Sequence, residues 1–218
     1  MADRMTTLGV VGVVDAVVGR LRERILSGDI RSGAPVTEAF VSEACGVARP
    51  SAKAAIEQLV ASGLLARRAH RTARVVGIDA DMVRDVYRTR IRLESAALRE
   101  LAARGEVPAD ALVANAEIAA LGEGADPASV DPDLRFHTAL IDALRSERTG
   151  RMYRSLLDEV RLCMAQVQGR RLLDAAAIAT QHAEILVAVS AGDADRAARL
   201  LHEHLTSAES RLVSALDR

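Results

Sequence analysis

The sequence predicts a mostly α protein: a winged helix-turn-helix of three helices and a short β-hairpin wing, followed by an all-α helical bundle. Three observations lead there. Half of the 218 residues are hydrophobic but only 2% are aromatic, and Ala and Leu dominate the second half. Those two residues lose little freedom in a helix. Up to about residue 78, short apolar stripes of helical period end at glycines and then give way to two β-prone stretches around a basic segment. Beyond it, almost every segment keeps the helical period. Residues 1–78 are assigned to one domain and 79–218 to a second, each long enough to bury a core.

Taken in order, Val10 to Ser27 reads as a helix with Val14, Val17, Val18, Leu21, Ile25 and Leu26 on one stripe and Arg20, Arg22 and Arg24 toward water. Gly28 caps it, and Gly33 and Pro35 mark a loop. Thr37 is the N-cap expected for a short helix from Glu38 to Cys45, ended by Gly46. After a tight turn, Pro50 opens the next helix in the first-turn position where proline is tolerated, and Gly63 stops it. Leu64-Leu65 and Val75-Val76 then flank the basic run Arg67-Arg68-Ala69-His70-Arg71-Thr72-Ala73-Arg74, the wing. The bundle helices are expected at Asp81–Ala103, Pro108–Leu121, Pro132–Leu144, Gly150–Gln168, Leu172–Ser190 and Asp195–Ala215, with a Gly/Asp/Pro-rich linker at Gly122–Asp131.

Charge separates the two halves. Residues 1–78 carry 11 basic against 7 acidic side chains, and residues 79–218 carry 18 against 23. A basic module joined to an acidic one is the asymmetry expected when only the first meets phosphate. No apolar run reaches the roughly 18 residues of a membrane span. Cys45 and Cys163 form no spaced motif and read as small buried hydrophobes in a reducing compartment, so a cytoplasmic location is expected.

Several stretches resemble the GntR family of transcription regulators, in its FadR-like branch with a C-terminal helical (FCD-type) ligand-binding domain. Ile25-Leu26-Ser27-Gly28-Asp29-Ile30-Arg31-Ser32-Gly33 is similar to the family's entry motif, and Gly46-Val47-Ala48-Arg49-Pro50-Ser51-Ala52-Lys53-Ala54-Ala55-Ile56 lies where the family reads G-V-S-R-T-P-V-R-E-A-L. Gly63-Leu64-Leu65 resembles its wing entry, and Val86-Tyr87-Arg88-Thr89-Arg90-Ile91-Arg92-Leu93-Glu94 the V-Y-x-x-R-x-x-L-E opening of its sensor domain. Phe136-His137, His182-Ala183-Glu184-Ile185 and Gly192-Asp193 leading to His204 resemble later landmarks, so the likeness spans about residues 14–213. Ala48, Pro50, Ala54 and Thr72 depart from the usual pattern, and no operator sequence can be borrowed from a relative. The resemblance implies a cytoplasmic, homodimeric regulator, by the family's leaning a repressor, that binds a pseudo-palindromic double-stranded operator and answers to a small effector.

A recognition helix presents its first residues to base edges in the major groove; here those are Arg49, Ser51, Ala52 and Lys53, the last being the only lysine of the chain. Thr37 and the amides after it would meet phosphate, and His70 and Arg71 at the wing tip an adjacent minor groove or phosphates. The alternative is that these cations form a solvated face.

In the second half, Asp133 and His137 are four apart and share one helix face. His182 and His204 lie ten residues before Gly192 and eleven after Asp193, so an antiparallel hairpin at about 1.5 Å per residue brings them level. The family resemblance is what joins the two pairs into one site. Three imidazoles and a carboxylate suit one divalent transition metal per chain, Zn, Ni or Mn, with positions open for a ligand. Arg90, at the family's arginine position, is the candidate to hold the carboxylate of a small organic acid effector. Its other role would be an ion pair with Glu94 one turn on, and Asp133 would otherwise serve as an acid in a helix first turn. A metal-independent regulator with a different ligand, a purely structural metal, and a metalloenzyme are the alternatives. No general base or nucleophile motif accompanies the ligands, and the chain is expected not to be an enzyme.

Overall fold

The computed structural model describes residues 12–68, 71–124, 127–166 and 174–216. Contacts divide the chain into two units, Met1–Gly77 and Ile78–Arg218. The first unit runs α1 (Val13–Leu26), β1 (Pro35–Val36), α2 (Glu38–Cys45), α3 (Arg49–Ala61), β2 (Leu65–Ala66) and β3 (Ala73–Val75). Both α1 and α2 pack on α3. The buried stripe of α1 (Val17, Val18, Leu21, Ile25) shares the unit's interior with Val41, Ala55, Ile56 and Leu59.

Thr37 caps α2, its hydroxyl accepting from the amide of Phe40 at 3.1 Å. Gly46 ends that helix at φ 66°, a left-handed conformation that glycine adopts without a Cβ penalty. The expected hairpin proves to be a three-stranded antiparallel sheet in the order β1-β3-β2. Its extra strand comes from the loop after α1. Pro35 can occupy an edge strand because no neighbour needs its missing N–H, and Val36 beside it is buried. The amide of Gly33 donates to the Val75 carbonyl at 2.9 Å and the Val75 amide to the Ala34 carbonyl at 3.0 Å, which extends the pairing beyond the two strand residues.

The second unit runs α4 (Ala80–Arg104), α5 (Ala109–Ala120), a 3₁₀ turn (Pro127–Ser129), α6 (Val130–Asp142), α7 (Glu147–Gln166), α8 (Ala175–Ser190) and α9 (Ala194–Leu216). The linker expected at Gly122–Asp131 is thus shorter: α6 starts before Pro132, which takes a first-turn place. Helix α7 starts before Gly150 and runs through it. Asp79 and Asp174 cap α4 and α8, accepting from Met82 at 2.8 Å and from Ala176 at 2.9 Å. The expected start of α8 at Leu172 and end of α7 at Gln168 lie outside the described residues.

Helix α4 packs along α9, with α6 and α8 also against it. The core they enclose holds Tyr87, Leu98, Leu101, Phe136, Leu140, Tyr153, Ile185, Val189, Leu201 and Leu205. A smaller cluster of Ile118, Ala175, Ile178 and Ala179 seals α5 to α8, where Asn115 donates from its side-chain amide to the Ala179 carbonyl at 3.0 Å. Both cysteines are free. Cys163 is buried as expected, its thiol pushed up to about 12 by burial, whereas Cys45 is only half-buried. Among the described residues no helix is long and apolar enough to cross a membrane.

Candidate metal centre

Inside the second unit, α6, α8 and α9 each turn a histidine toward one buried point. The four-residue spacing on α6 puts Asp133 and His137 on one face, and both are buried. Helix α8 ends at Ser190 and α9 begins at Ala194, the turn between them made by Gly192 at φ 72°. The Asp193 carboxylate caps the return helix by accepting from the amide of Arg196 at 3.0 Å. That antiparallel return sets the Nε2 atoms of His182 and His204 3.3 Å apart.

Tertiary packing then joins the pairs. His204 Nε2 lies 3.3 Å from His137 Nε2, and Asp133 Oδ1 lies 3.5 Å from His182 Nε2 and 3.8 Å from His137 Nε2. All four ligating atoms fall within 4.8 Å of one another. Ligands bound to a divalent ion at 2.0–2.1 Å stand about 3.0–3.4 Å apart for right-angled to tetrahedral directions, so the donor set fits a transition metal in chemistry and in spacing.

Around these atoms lies a shell of polar partners from α4, α7 and α8. Glu94 on α4 accepts from Arg90 Nε at 2.9 Å and from the Tyr153 hydroxyl at 2.7 Å on one oxygen, and its other oxygen faces His137 Nδ1 at 2.6 Å. His204 Nδ1 faces the amide oxygen of Gln181 at 2.8 Å. The His182 ring stacks on Phe136, centroids 3.6 Å apart, and its Nδ1 is buried without a partner among the described residues. Arg90 is therefore paired with Glu94, the ion-pair alternative, but among the described residues its Nη2 is buried without a partner, as is the hydroxyl of Tyr87. Of these partners, Arg90 and Glu94 carry a sequence signal in their one-turn spacing. Tyr153 and Gln181 carry none.

Burial works to raise the pKa of Glu94, but the Arg90 charge, His137 and the two side-chain hydrogen bonds outweigh it and bring it down to about 2. For Asp133, burial wins over His137 and Arg90, and its pKa is raised. His182 and His204 are held well below the ordinary 6.5, first by burial and then by the charge of their neighbours. A stability consequence follows. The folded, metal-free protein keeps these two imidazoles neutral while the unfolded chain takes up protons below about pH 6.5, so stability falls as the pH drops through that value. Glu94 adds to the loss only below its ordinary 4.5, and Asp133 opposes it at the acidic end. Chelator-treated protein should show a lower urea midpoint at about pH 5.5 than at about pH 7.5; equal midpoints would count against buried neutral imidazoles.

The residues expected at DNA all lie in the first unit. Arg49 and Lys53, one turn apart at the start of α3, are exposed and form no ion pair among the described residues, and Ser51 is half-buried between them. Ala52 is 0% exposed and packs inward, which removes it from the base-facing set. Thr37 is exposed at the start of α2. Arg71 is exposed beside β3, whereas His70 lies outside the described residues. Two wing cations have structural work: Arg67 grips Glu57 at 2.6 and 2.7 Å, and Arg74 donates to the Gly33 carbonyl at 2.7 Å. Arg68 is exposed and, like Arg71, forms no ion pair among the described residues, which adds a basic side chain to the wing beyond those the motif picks out.

Residues 85–207 match the model of the FCD domain, and residues 13–75 match that of bacterial regulatory proteins, gntR family. The uncharacterized HTH-type transcriptional regulator BphR of Paraburkholderia xenovorans (strain LB400) is 27% identical over 212 residues, covering 91% of this chain and 84% of that protein. The fold is similar to that of a protein from Rhodococcus sp. RHA1 assigned as a GntR transcriptional regulator, with TM-score 0.72, 26% identity, and coverage of 92% of this chain and 97% of that one. It also resembles the Zn2+-bound FCD domain of TM0439, with TM-score 0.53, 24% identity, and coverage of 64% of this chain and 97% of that one.

Proposed function

The chain belongs to the GntR family of DNA-binding bacterial transcription regulators, with an FCD domain as its second unit, and from that premise we propose that it senses a small organic acid through a divalent metal. The observation that carries this reading is the convergence of His137, His182, His204 and Asp133 in a buried cluster, beside donors of Arg90 and Tyr87 that have no partner among the described residues. Arg90 is linked to this cluster through Glu94, which also meets His137 Nδ1 at 2.6 Å, and its guanidinium lies over the Tyr87 ring at 5.1 Å. A zinc-bound FCD domain among the solved structures lends further support.

In this reading the three imidazoles and Asp133 hold zinc, nickel or manganese, one per chain, and the ion supplies a Lewis-acid contact for a carboxylate oxygen. Arg90 Nη2 and the Tyr87 hydroxyl donate to the rest of the acid. Asp133, Glu94 and Arg90 leave this interior with two negative charges and one positive, so an anionic effector is welcome only together with a metal cation. Arg49, Ser51 and Lys53 read base edges, while Thr37, His70 and Arg71 meet backbone or minor groove. A homodimer on a pseudo-palindromic operator in the cytoplasm is the assembly that fits, with repression as the output. The effector acts only as far as it binds the DNA-competent and DNA-incompetent arrangements unequally.

The test uses an operator selected from random DNA. Acetate, succinate and citrate are titrated against the zinc-loaded protein and against protein stripped by chelation. At least one acid should change DNA affinity by about 5- to 150-fold, the usual span of a coupling of 1–3 kcal/mol, with metal present only. The same shift in stripped protein would mean a metal-independent effector. No shift alongside a lower melting temperature on stripping would mean a metal that only staples the bundle.

A further inference from the structure

We infer that Glu94 and Gln181 are positioning residues of the metal centre, each capturing the Nδ1–H of one histidine and so turning that ring's Nε2 lone pair inward. The inference rests on the metal reading above and assigns a role to two side chains that do not themselves ligate. The Arg90 guanidinium and the Tyr153 hydroxyl both donate to one oxygen of Glu94, and a carboxylate so paired offers acceptor sites to its remaining neighbour. At 2.6 Å from Glu94, the Nδ1 of His137 must then carry the proton, and its Nε2 is left as a bare lone pair. His204 Nδ1 stands 2.8 Å from the amide oxygen of Gln181, and because an amide oxygen accepts and does not donate, that nitrogen also carries the proton.

A consequence is visible in the geometry. The Nε2 atoms of His137 and His204 lie 3.3 Å apart, yet with both Nδ1 positions protonated there is no hydrogen to place between them. Two lone pairs face each other across a buried gap, an arrangement that a cation relieves and a hydrogen bond does not.

The two positioning residues are unequal. Glu94 is charged and held from both sides, by Arg90 at 2.9 Å and Tyr153 at 2.7 Å, and is 0% exposed. It fixes the ring orientation of His137 and raises the basicity of its free nitrogen. Gln181 is neutral and half-buried, and supplies orientation with less basicity. His182 has neither: among the described residues its Nδ1 meets no acceptor, and its plane is held by the stack on Phe136.

The test is zinc affinity measured by competition with a chromophoric chelator, on the full chain, beside the ring-nitrogen NMR spectrum of the histidines. Glu94→Gln should weaken zinc binding about 10- to 100-fold, the usual cost of losing such a partner, and Gln181→Leu should weaken it less. Gln181→Glu, which gives His204 the charged partner His137 already has, should tighten it. The His137 Nδ1–H signal of the metal-free protein should be lost or exchange-broadened in Glu94→Gln and kept in Gln181→Leu. If Glu94→Gln leaves Arg90 unpaired and the chain does not fold, Tyr153→Phe and the two Gln181 variants decide instead. Unchanged affinity and unchanged ring signals in folded variants would overturn the inference and leave the metal centre standing. A wild type that takes up no zinc would overturn the metal reading itself, and the positioning roles with it.

Discussion

Changing His182 and His204 together to alanine is expected to reduce the metal content of the purified, tag-free protein from about one transition-metal ion per chain to almost none. Each removed imidazole is one of three nitrogens converging within hydrogen-bond distance of another, 3.3 Å in both recorded contacts. What remains is His137 and Asp133 on α6, an i, i+4 pair that cannot enclose an ion. Elemental analysis of wild type and variant side by side reads the result directly. Equal metal in both proteins would place the ion elsewhere. Absence of metal in both, even after reconstitution, would redirect the effector search to ligands that need none, and would leave the DNA-binding family assignment untouched. Because both side chains are buried, the variant's circular dichroism and melting curve must accompany the measurement, and His204→Gln, closer in size, gives a milder control.

The second large effect is expected at α3. Arg49→Ala should weaken binding to a selected operator by about 1–3 kcal/mol for each half-site, roughly 5- to 150-fold, and relax the preference at one base position. Arg49 is exposed in the first turn of the helix and has no ion-pair partner among the described residues, so its guanidinium is free for a bidentate contact. Arg71→Ala beside the wing should behave differently, weakening all sequences alike and lowering the salt slope by about one. Mobility-shift titrations at two salt concentrations separate the two. An Arg49→Ala protein with wild-type affinity and selectivity would remove α3 from the recognition surface.

Much of this was legible in the sequence because it was local. The apolar stripes, the caps at Thr37 and Gly46, and the proline at the start of α3 depend on neighbours within one turn, and the helices appear where those signals lie. The Asp133–His137 pair is a one-turn spacing, and the His182–His204 pair needs only a short hairpin. What failed was non-local or too short to carry a period. Strand β1 is two residues long and contains a proline, so no alternation announces it. Ala52 sits between Ser51 and Lys53 in the sequence, yet the helix turns it into the core. Tyr153 meets Glu94 across 59 residues, a separation at which no spacing rule operates; Gln181 lies level with His204 on the same hairpin as His182, but a neutral amide there does not stand out from its neighbours.

Lys53 has one more consequence. It is the sole lysine of a chain whose other 28 basic side chains are arginines, and it stands exposed on the first turns of α3. Amine-directed chemistry can thus modify this protein at one side chain besides the chain terminus. An acylating reagent becomes a footprint of the recognition helix, with protection of a single tryptic site reporting occupancy. A single aldehyde cross-link would report which strand of the duplex lies beside it.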